Sequence, residues 1–365
     1  MKLVIATPLY PPEIGGPATY AKLLVERLPK RGIEVSLVKF SGVKKWPKFI
    51  RHILYFVRVL RATRSADAVY ALDPVSVGFP ASLAARWLRK PFFVKIVGDY
   101  AWEQGRQRFG VTQNLDDFVA NERVPRMVRL LRKIQTRVAR AATKVIVPSD
   151  YLRNIVVSWG IQKEKIEVIH NAVPQEEPGL VPRTVEKLPR PLIVSVGRLV
   201  PWKGMEDLID AVALLGGQGN RASLAIVGDG PDLVPLVAHA EEKLKGGYIF
   251  TGALSHADTL SMMKHADAFV LNSSYEGLSH ILIEALMLGV PTIATNIGGN
   301  PEVITDEHEG LLVHSGDTAA LAAALAKLLS NEELCARLSA RARESSKRFS
   351  TEAMLSRTSE VLSNL

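Results

Sequence analysis

The feature that most limits how this chain can fold is a rhythm that stops once and restarts. Short apolar runs of strand length alternate with longer stretches of helical periodicity. In the first half the runs are LVIATPLY (residues 3–10), EVSLVKF, AVYALD, FFVKIV and KVIVPS, and a helix is expected after the first of them, to about Arg31. In the second half they are PLIVSVG, ASLAIVGDG, YIFTGAL, AFVLNS and PTIATN, with helices expected near 203–215, 231–245, 257–265, 280–288 and 318–329. Regular alternation of this kind implies parallel sheets wrapped by helices on both faces. The break, NAVPQEEPGLVPRTVEKLPR (171–190), is rich in Pro and Glu, lacks periodicity and reads as a linker. The expected fold class is therefore α/β, with two Rossmann-like doubly wound domains in series. The first spans 1–180 and the second 190–345. Ligands of such sheets gather at the carboxyl ends of the strands, and two such domains are expected to face a central cleft. The tail, 331–364, reads as helical with a break at RFSTEAM, where Ser350 is placed to cap the last helix.

Composition agrees with two globular cores: 365 residues, 47% hydrophobic and 23% charged, which excludes a disordered chain. Cys335 is the single cysteine, so no intrachain disulfide forms, which fits a reducing compartment. Residues 3–9 read as a strand rather than a leader, and no window approaches the ~18 apolar residues of a membrane span. A cytoplasmic protein is expected. Its charge is uneven. Residues 1–185 hold 31 Lys and Arg against 15 Asp and Glu, a net of +16, and the remainder carries −7. A basic half attracts phosphorylated ligands, nucleic acid or anionic lipid, and charge alone does not choose among them.

Three loops at strand ends carry the chemistry. In VGRLVPWKG (196–204), Arg198 and Lys203 suit a pyrophosphate, although a solvated turn with two surface charges reads the same way. IVGDGP ends a strand with two glycines that let backbone approach a ligand, or simply make a tight turn. SSYEGLSHILIEALMLGVP places Glu276 before an apolar helix and Glu284 inside it. Free N–H groups near Gly277, Leu278 and Ser279 would sit at a helix N-terminus, a ready anion site. The two carboxylates suit the hydroxyls of a sugar or ribose. The alternatives are a helix-capping acid for Glu276 and, for Glu284, a buried glutamate paired with a nearby lysine or arginine.

Seven residues separate Glu276 from Glu284, and this resembles the E-x7-E signature of retaining glycosyltransferases of the GT-B fold. VGRLVPWKG, IVGDGP, FTGAL and PTIATNIGGNPEVI stand in the order that family shows, so the chain resembles a family 4 glycosyltransferase, closely over the second half and more loosely over the first. The resemblance implies that 190–345 binds the nucleotide-sugar donor and 1–180 the acceptor, with the final helix, 350–365, crossing back onto the first domain. It implies that Arg198 and Lys203 bind the donor diphosphate, that Glu284 holds the ribose hydroxyls and that Glu276 contacts the donor sugar near its reacting face. Backbone at Gly277, Leu278 and Ser279 would bind sugar or phosphate. The TGAL segment, with Gly252 and Leu254, would line the base pocket, and Gly15 and Gly16 match the glycine loop that approaches the phosphates. No metal or other cofactor is expected. Where many members carry a histidine, this chain has Gly98 followed by Asp99. Asp99 is expected to act on the donor sugar or the acceptor hydroxyl, the alternative being an aspartate that caps the following turn. The expected catalytic set is Glu276, Asp99, Arg198 and Lys203.

The acceptor side reads less sharply. DYAWEQGRQRFGV (99–111) is expected to be a long loop on which an acceptor stacks at Trp102 and meets Arg106 or Arg108. Residues 44–64 mix eight Lys, Arg and His with Trp46, Phe49, Ile53, Phe56, Val57 and Leu60, a basic amphipathic helix. It either docks peripherally on the inner, anionic face of a membrane or packs on its own sheet. The arginines of 123–144 accompany no nucleic-acid module, and no nucleic-acid partner is expected. The expected activity is metal-independent transfer of a hexose from a UDP- or GDP-linked donor to an acceptor glycan or lipid-linked sugar, as in polysaccharide biosynthesis. The rivals are a nucleotide-sugar 2-epimerase and a non-catalytic nucleotide-sugar binder. A Rossmann dehydrogenase is disfavoured because EIGGPA does not fit G-x-G-x-x-G.

Overall fold

The computed structural model describes every residue except 14–15, 122, 174–175, 245 and 365, and the side chains of 48 and 49 also lie outside the description. Two compact units emerge, Met1–Asn171 together with Thr351–Leu365, and Ala172–Ser350. Each is built on a six-stranded parallel sheet flanked by helices.

In the first unit the strands are β1 (Lys2–Thr7), β2 (Glu34–Lys39), β3 (Ala68–Ala71), β4 (Phe92–Lys95), β5 (Lys144–Val147) and β6 (Ile166–Val168), in the order β2-β1-β3-β4-β5-β6. In the second they are β7 (Leu192–Val196), β8 (Ser223–Val227), β9 (Tyr248–Gly252), β10 (Ala268–Leu271), β11 (Thr292–Thr295) and β12 (Leu311–Val313), in the order β12-β11-β10-β7-β8-β9. Strands covered on both faces need apolar residues at every position, which is why these read as continuous runs. Side chains still alternate between the faces. Leu192, Val194 and Val196 of β7 join the core beneath helix His280–Leu288, and Ile193 joins the core beneath Met205–Gly217 and Thr318–Leu329. Each such side chain, fully buried, contributes about 1.5–3 kcal/mol.

The second sheet runs outward from β7 through β8 to β9, then returns to the other side of β7 with β10. The loops after β7 and β10 therefore leave neighbouring strands at the point where the order reverses, the place where sheets of this kind form a crevice. The expected strands and helices of this unit lie where the periodicity puts them. Two short edge strands, β6 and β12, escaped it; they are held by pairing, Val145 with Ile166 and Ile293 with Leu311.

Residues 99–111 correct an expectation: helix Tyr100–Arg108 stands where a long loop was foreseen. Asp99 starts it by accepting a hydrogen bond from Trp102 N at 2.9 Å. The tail follows its expected break, with helices Glu332–Ser346 and Thr351–Ser363. The last helix belongs to the first unit, burying Met354, Leu355, Val361 and Leu362, and Arg357 reaches Glu167 at 3.0 Å. Among the described residues, no helix is long and apolar enough to cross a membrane.

Candidate functional site

Lys203 and Glu276, 73 residues apart, meet at the crevice of the second unit, with Nζ 2.5 Å from Oε1. Lys203 ends the turn after β7 and Glu276 lies in the loop after β10. Ser273 Oγ donates to the same carboxylate oxygen at 2.7 Å. Further bonds join the two loops: Ser274 N donates to Trp202 O at 2.8 Å and Asn272 Nδ2 to Gly204 O at 2.9 Å. Gly204 has φ +61°, and a Cβ there would lie 2.1 Å from Asn272 O, so only glycine permits this approach. The same holds at Gly298, where φ is +53° and a Cβ would lie 2.1 Å from Glu276 O. The TNIGGN turn thus braces Glu276 from behind, and Gly299 N donates to Glu276 O at 3.0 Å.

Ser279, not Glu276, caps helix His280–Leu288, accepting from Leu282 N. Gly277, Leu278 and Ser279 are buried where that helix begins. Glu284 follows on the same helix, only 7% exposed. Among the described residues its partner is a histidine rather than a lysine or arginine. His256 Nε2 lies 2.8 Å from Glu284 Oε1, while His256 Nδ1 pairs with Glu176 Oε2. The bond to Glu284, and less strongly that to Glu176, raises the imidazole from 6.5 to about 9 against the opposing effect of burial. His256, Glu176 and Ser273 were not singled out by sequence. The signal for His256 was its position, the first helical residue after β9, behind the Ser255 cap.

Arg198 is exposed on the turn after β7, and Gly252 and Leu254 are half-buried at the end of β9. Gly252 adopts φ +71° and its carbonyl accepts from Gly228 N at 3.0 Å. A separate cavity of about 310 Å³ lies behind the Lys203 turn, lined by Glu206, Asp207 and Asp232 among others. Burial, then neighbouring carboxylates, push Asp207 and Asp232 upward.

The other expected residues lie in the first unit. Gly16 is the first residue of helix Gly16–Arg27, and Gly15 lies outside the described residues. Asp99 is 1% exposed and occupied as a helix cap; burial raises its carboxyl, and the Trp102 N–H and Gln135 pull it back. Stacking of an acceptor on Trp102 is corrected: the ring is 2% exposed and Nε1 donates to Gln113 O at 2.9 Å. Arg106 covers that ring and donates to Thr112 O at 2.6 Å. A neighbour not foreseen, Glu103, is pushed up to about 7 by burial and then by the charges of Asp99 and Asp73.

Comparison with known proteins gives two family matches. The model described as Glycosyltransferase Family 4 matches residues 14–177, and that described as Glycosyl transferases group 1 matches 181–345. A lipopolysaccharide core biosynthesis glycosyltransferase, LpsD of Rhizobium meliloti, is 36% identical over 196 residues, 53% of this chain and 55% of that one. A 2-deoxystreptamine glucosyltransferase of Streptomyces kanamyceticus is 29% identical over 185 residues, 48% of each chain. The chain thus spans about half the length of the curated relatives it matches. In fold it is similar to Anabaena HepE, solved with UDP-glucose, at TM-score 0.78 and 18% identity over 100% of both chains. It is also similar to sucrose-phosphate synthase of Thermosynechococcus elongatus, at TM-score 0.77 and 19% identity over 99% of this chain and 98% of that one.

Proposed function

From the premise that this chain belongs to the family 4, group 1 glycosyltransferases of the GT-B fold, we propose that it is a retaining hexosyltransferase using a nucleotide diphosphate sugar. The observation that carries this reading is the meeting of Lys203 and Glu276 beside the Ser279-capped helix, with Glu284 two turns on. Lys203 and Arg198 offset the charge that grows on the diphosphate as the C1–oxygen bond breaks, aided by the N–H groups at the helix start. Glu276 accepts from the sugar hydroxyls and Glu284 from the ribose. The acceptor oxygen bonds to C1 on the face the diphosphate leaves, and its proton passes to the departing phosphate oxygen. Glu276 and Lys203 hold one another, so the donor meets groups already oriented. UDP-glucose bound to a protein of the same fold supports trying uridine donors first.

The test is donor turnover with the full chain. Nucleotide diphosphate release that needs an acceptor, keeps the anomeric configuration, survives EDTA and falls at least about 100-fold in Lys203→Ala is expected. Interconversion of nucleotide sugars without acceptor would make it an epimerase. Binding without turnover would make it a binder.

A second observation supports an acceptor held at a membrane. Among the described residues, helix Lys48–Thr63 buries Tyr55, Val59 and Thr63, whereas of the expected apolar set Ile53 is exposed, Phe56, Val57 and Leu60 are half-buried, and the Phe49 side chain lies outside the description. Trp46 (53%), Ile53 (52%) and Trp87 (73%) remain exposed, as do Lys45, Arg58 and Arg61, and the Trp87 ring lies 6.3 Å from that of Phe56 on this helix. Exposed cations and exposed apolar side chains in and beside one helix fit an anionic bilayer, where tryptophans insert at headgroup level. Cosedimentation with vesicles containing phosphatidylglycerol, weakened by salt and at least about tenfold by Trp46→Ser with Ile53→Ser, is expected. Equal binding to neutral vesicles, or self-association without vesicle binding, would overturn it.

A further inference from the structure

His256 stands between two carboxylates that come from different parts of the second unit. Glu284 is on helix His280–Leu288, and Glu176 is in the segment that leads into this unit from the first. A ring that serves a carboxylate at each nitrogen carries a proton on both, so it is an imidazolium in this arrangement. The same segment is fastened to the helix that bears His256. Gly179 N donates to Ala257 O at 2.8 Å and Leu180 N to Asp258 Oδ1 at 2.9 Å. Ser255 caps that helix and donates to Asp258 Oδ2 at 2.7 Å. Asp258 is thus turned toward the Ser255 cap and Leu180, and among the described residues the charged groups that face the imidazole are Glu284 and Glu176.

We propose that His256 is a positioning residue: its imidazolium holds the Glu284 carboxylate in place and fastens the linker at Glu176 to it. The inference rests on Glu284 as the acceptor of ribose hydroxyls. With Oε1 held by His256, Oε2 is left to receive them. Loss of the proton leaves a ring with one donor for two acceptors, so one of the two attachments breaks. The linker and the nucleotide seat therefore change together, and the change is reversible with pH.

The sign follows from the raised imidazole. The charged ring is complete at neutral pH and is lost as pH rises through about 9. Three variants separate positioning from simple support. His256→Gln keeps donors on one nitrogen only and does not titrate. His256→Lys keeps a charge and several donors but titrates higher. Glu176→Gln weakens one arm of the clamp.

The experiment is an NMR titration of the imidazole, assigned among the eight histidines by its loss in His256→Gln, together with UDP and GDP affinity measured by calorimetry from pH 6.5 to 10. In the native chain, titration near 9 and an affinity drop of at least tenfold across that pH are expected. The drop vanishes in His256→Gln, moves upward in His256→Lys and moves downward in Glu176→Gln. In turnover, KM for the donor follows the same profile while kcat changes less. Titration near 6.5, or an unchanged affinity profile in His256→Gln, would overturn the proposal. Titration near 9 with no nucleotide bound at any pH would leave the clamp standing as a linker lock and remove the donor reading instead.

Discussion

Lys95 closes β4 with its ammonium inside the first unit, 2% exposed and 4.3 Å from the centre of the Tyr20 ring. Nζ has no hydrogen-bond partner among the described residues, and burial pulls the lysine from 10.5 down to about 7. Attraction to the ring offsets only part of the lost hydration. Between pH 7 and 10.5 the unfolded chain holds a proton that the native one has released, so this residue makes stability rise with pH across that window. Below 7 both states are charged and the penalty is constant. Lys95→Met is expected to stabilise the first unit by about 2 kcal/mol at pH 6–7 and to remove its share of the slope. Urea unfolding of variant and native chains at pH 6, 8 and 9.5 measures this. His256 works in the opposite direction over part of the same range, its stabilisation being lost as pH rises from 6.5 through about 9. The difference between the two chains isolates Lys95. Nothing in FFVKIV foretells this burial. A lysine at a strand end reads as a surface charge until the helices that cover it are known.

At the scale of the element, the loops after β7 and β10 act as one piece because their backbones interlock. Gly204→Ala would force a left-handed backbone on alanine and push Asn272 away. A loss of about 2–4 kcal/mol is expected, read as a lower Tm of the second unit, with weaker donor binding. A wild-type Tm in that variant would mean that the loops shift freely. Helix Tyr100–Arg108 teaches the complementary lesson. YAWEQGRQR has aromatic and glycine residues that suggest a binding loop, yet Asp99 caps it, Trp102 turns inward and Arg106 ties its end to Thr112. The alternative already present in the sequence, an aspartate capping the next turn, describes what Asp99 does locally.

At the scale of the molecule, the chain ends in a helix that belongs to the unit where the chain began. Its four buried apolar side chains contribute about 1.5–3 kcal/mol each. Truncation after Ser350 is expected to destabilise the first unit by at least about 5 kcal/mol and leave the second nearly unchanged. Hydrogen exchange resolves this, with protection lost in β1 to β5 and kept in β7 to β11. Equal loss in both units would mean that they unfold together.

The alternation of runs by itself determined two parallel α/β sheets, their order along the chain and the position of the loops of the candidate site, because strand and helix periods are local properties. Those periods also put Glu276 just before helix His280–Leu288 and Glu284 inside it, whereas joining the two as one site rested on the resemblance of their seven-residue spacing to a family signature. Edge strands β6 and β12, three residues each, were too short to carry a period and depend on the neighbour they pair with. The rest required tertiary structure. Which cation meets Glu276 depends on the reversal of strand order at β7 and β10. That Glu284 is paired with His256 depends on how helices after β9 and β10 cross the sheet. Whether Lys95, Asp99 and Trp102 face solvent depends on what packs above them. Those are contacts between residues far apart in the chain, where no short-range pattern records the partner.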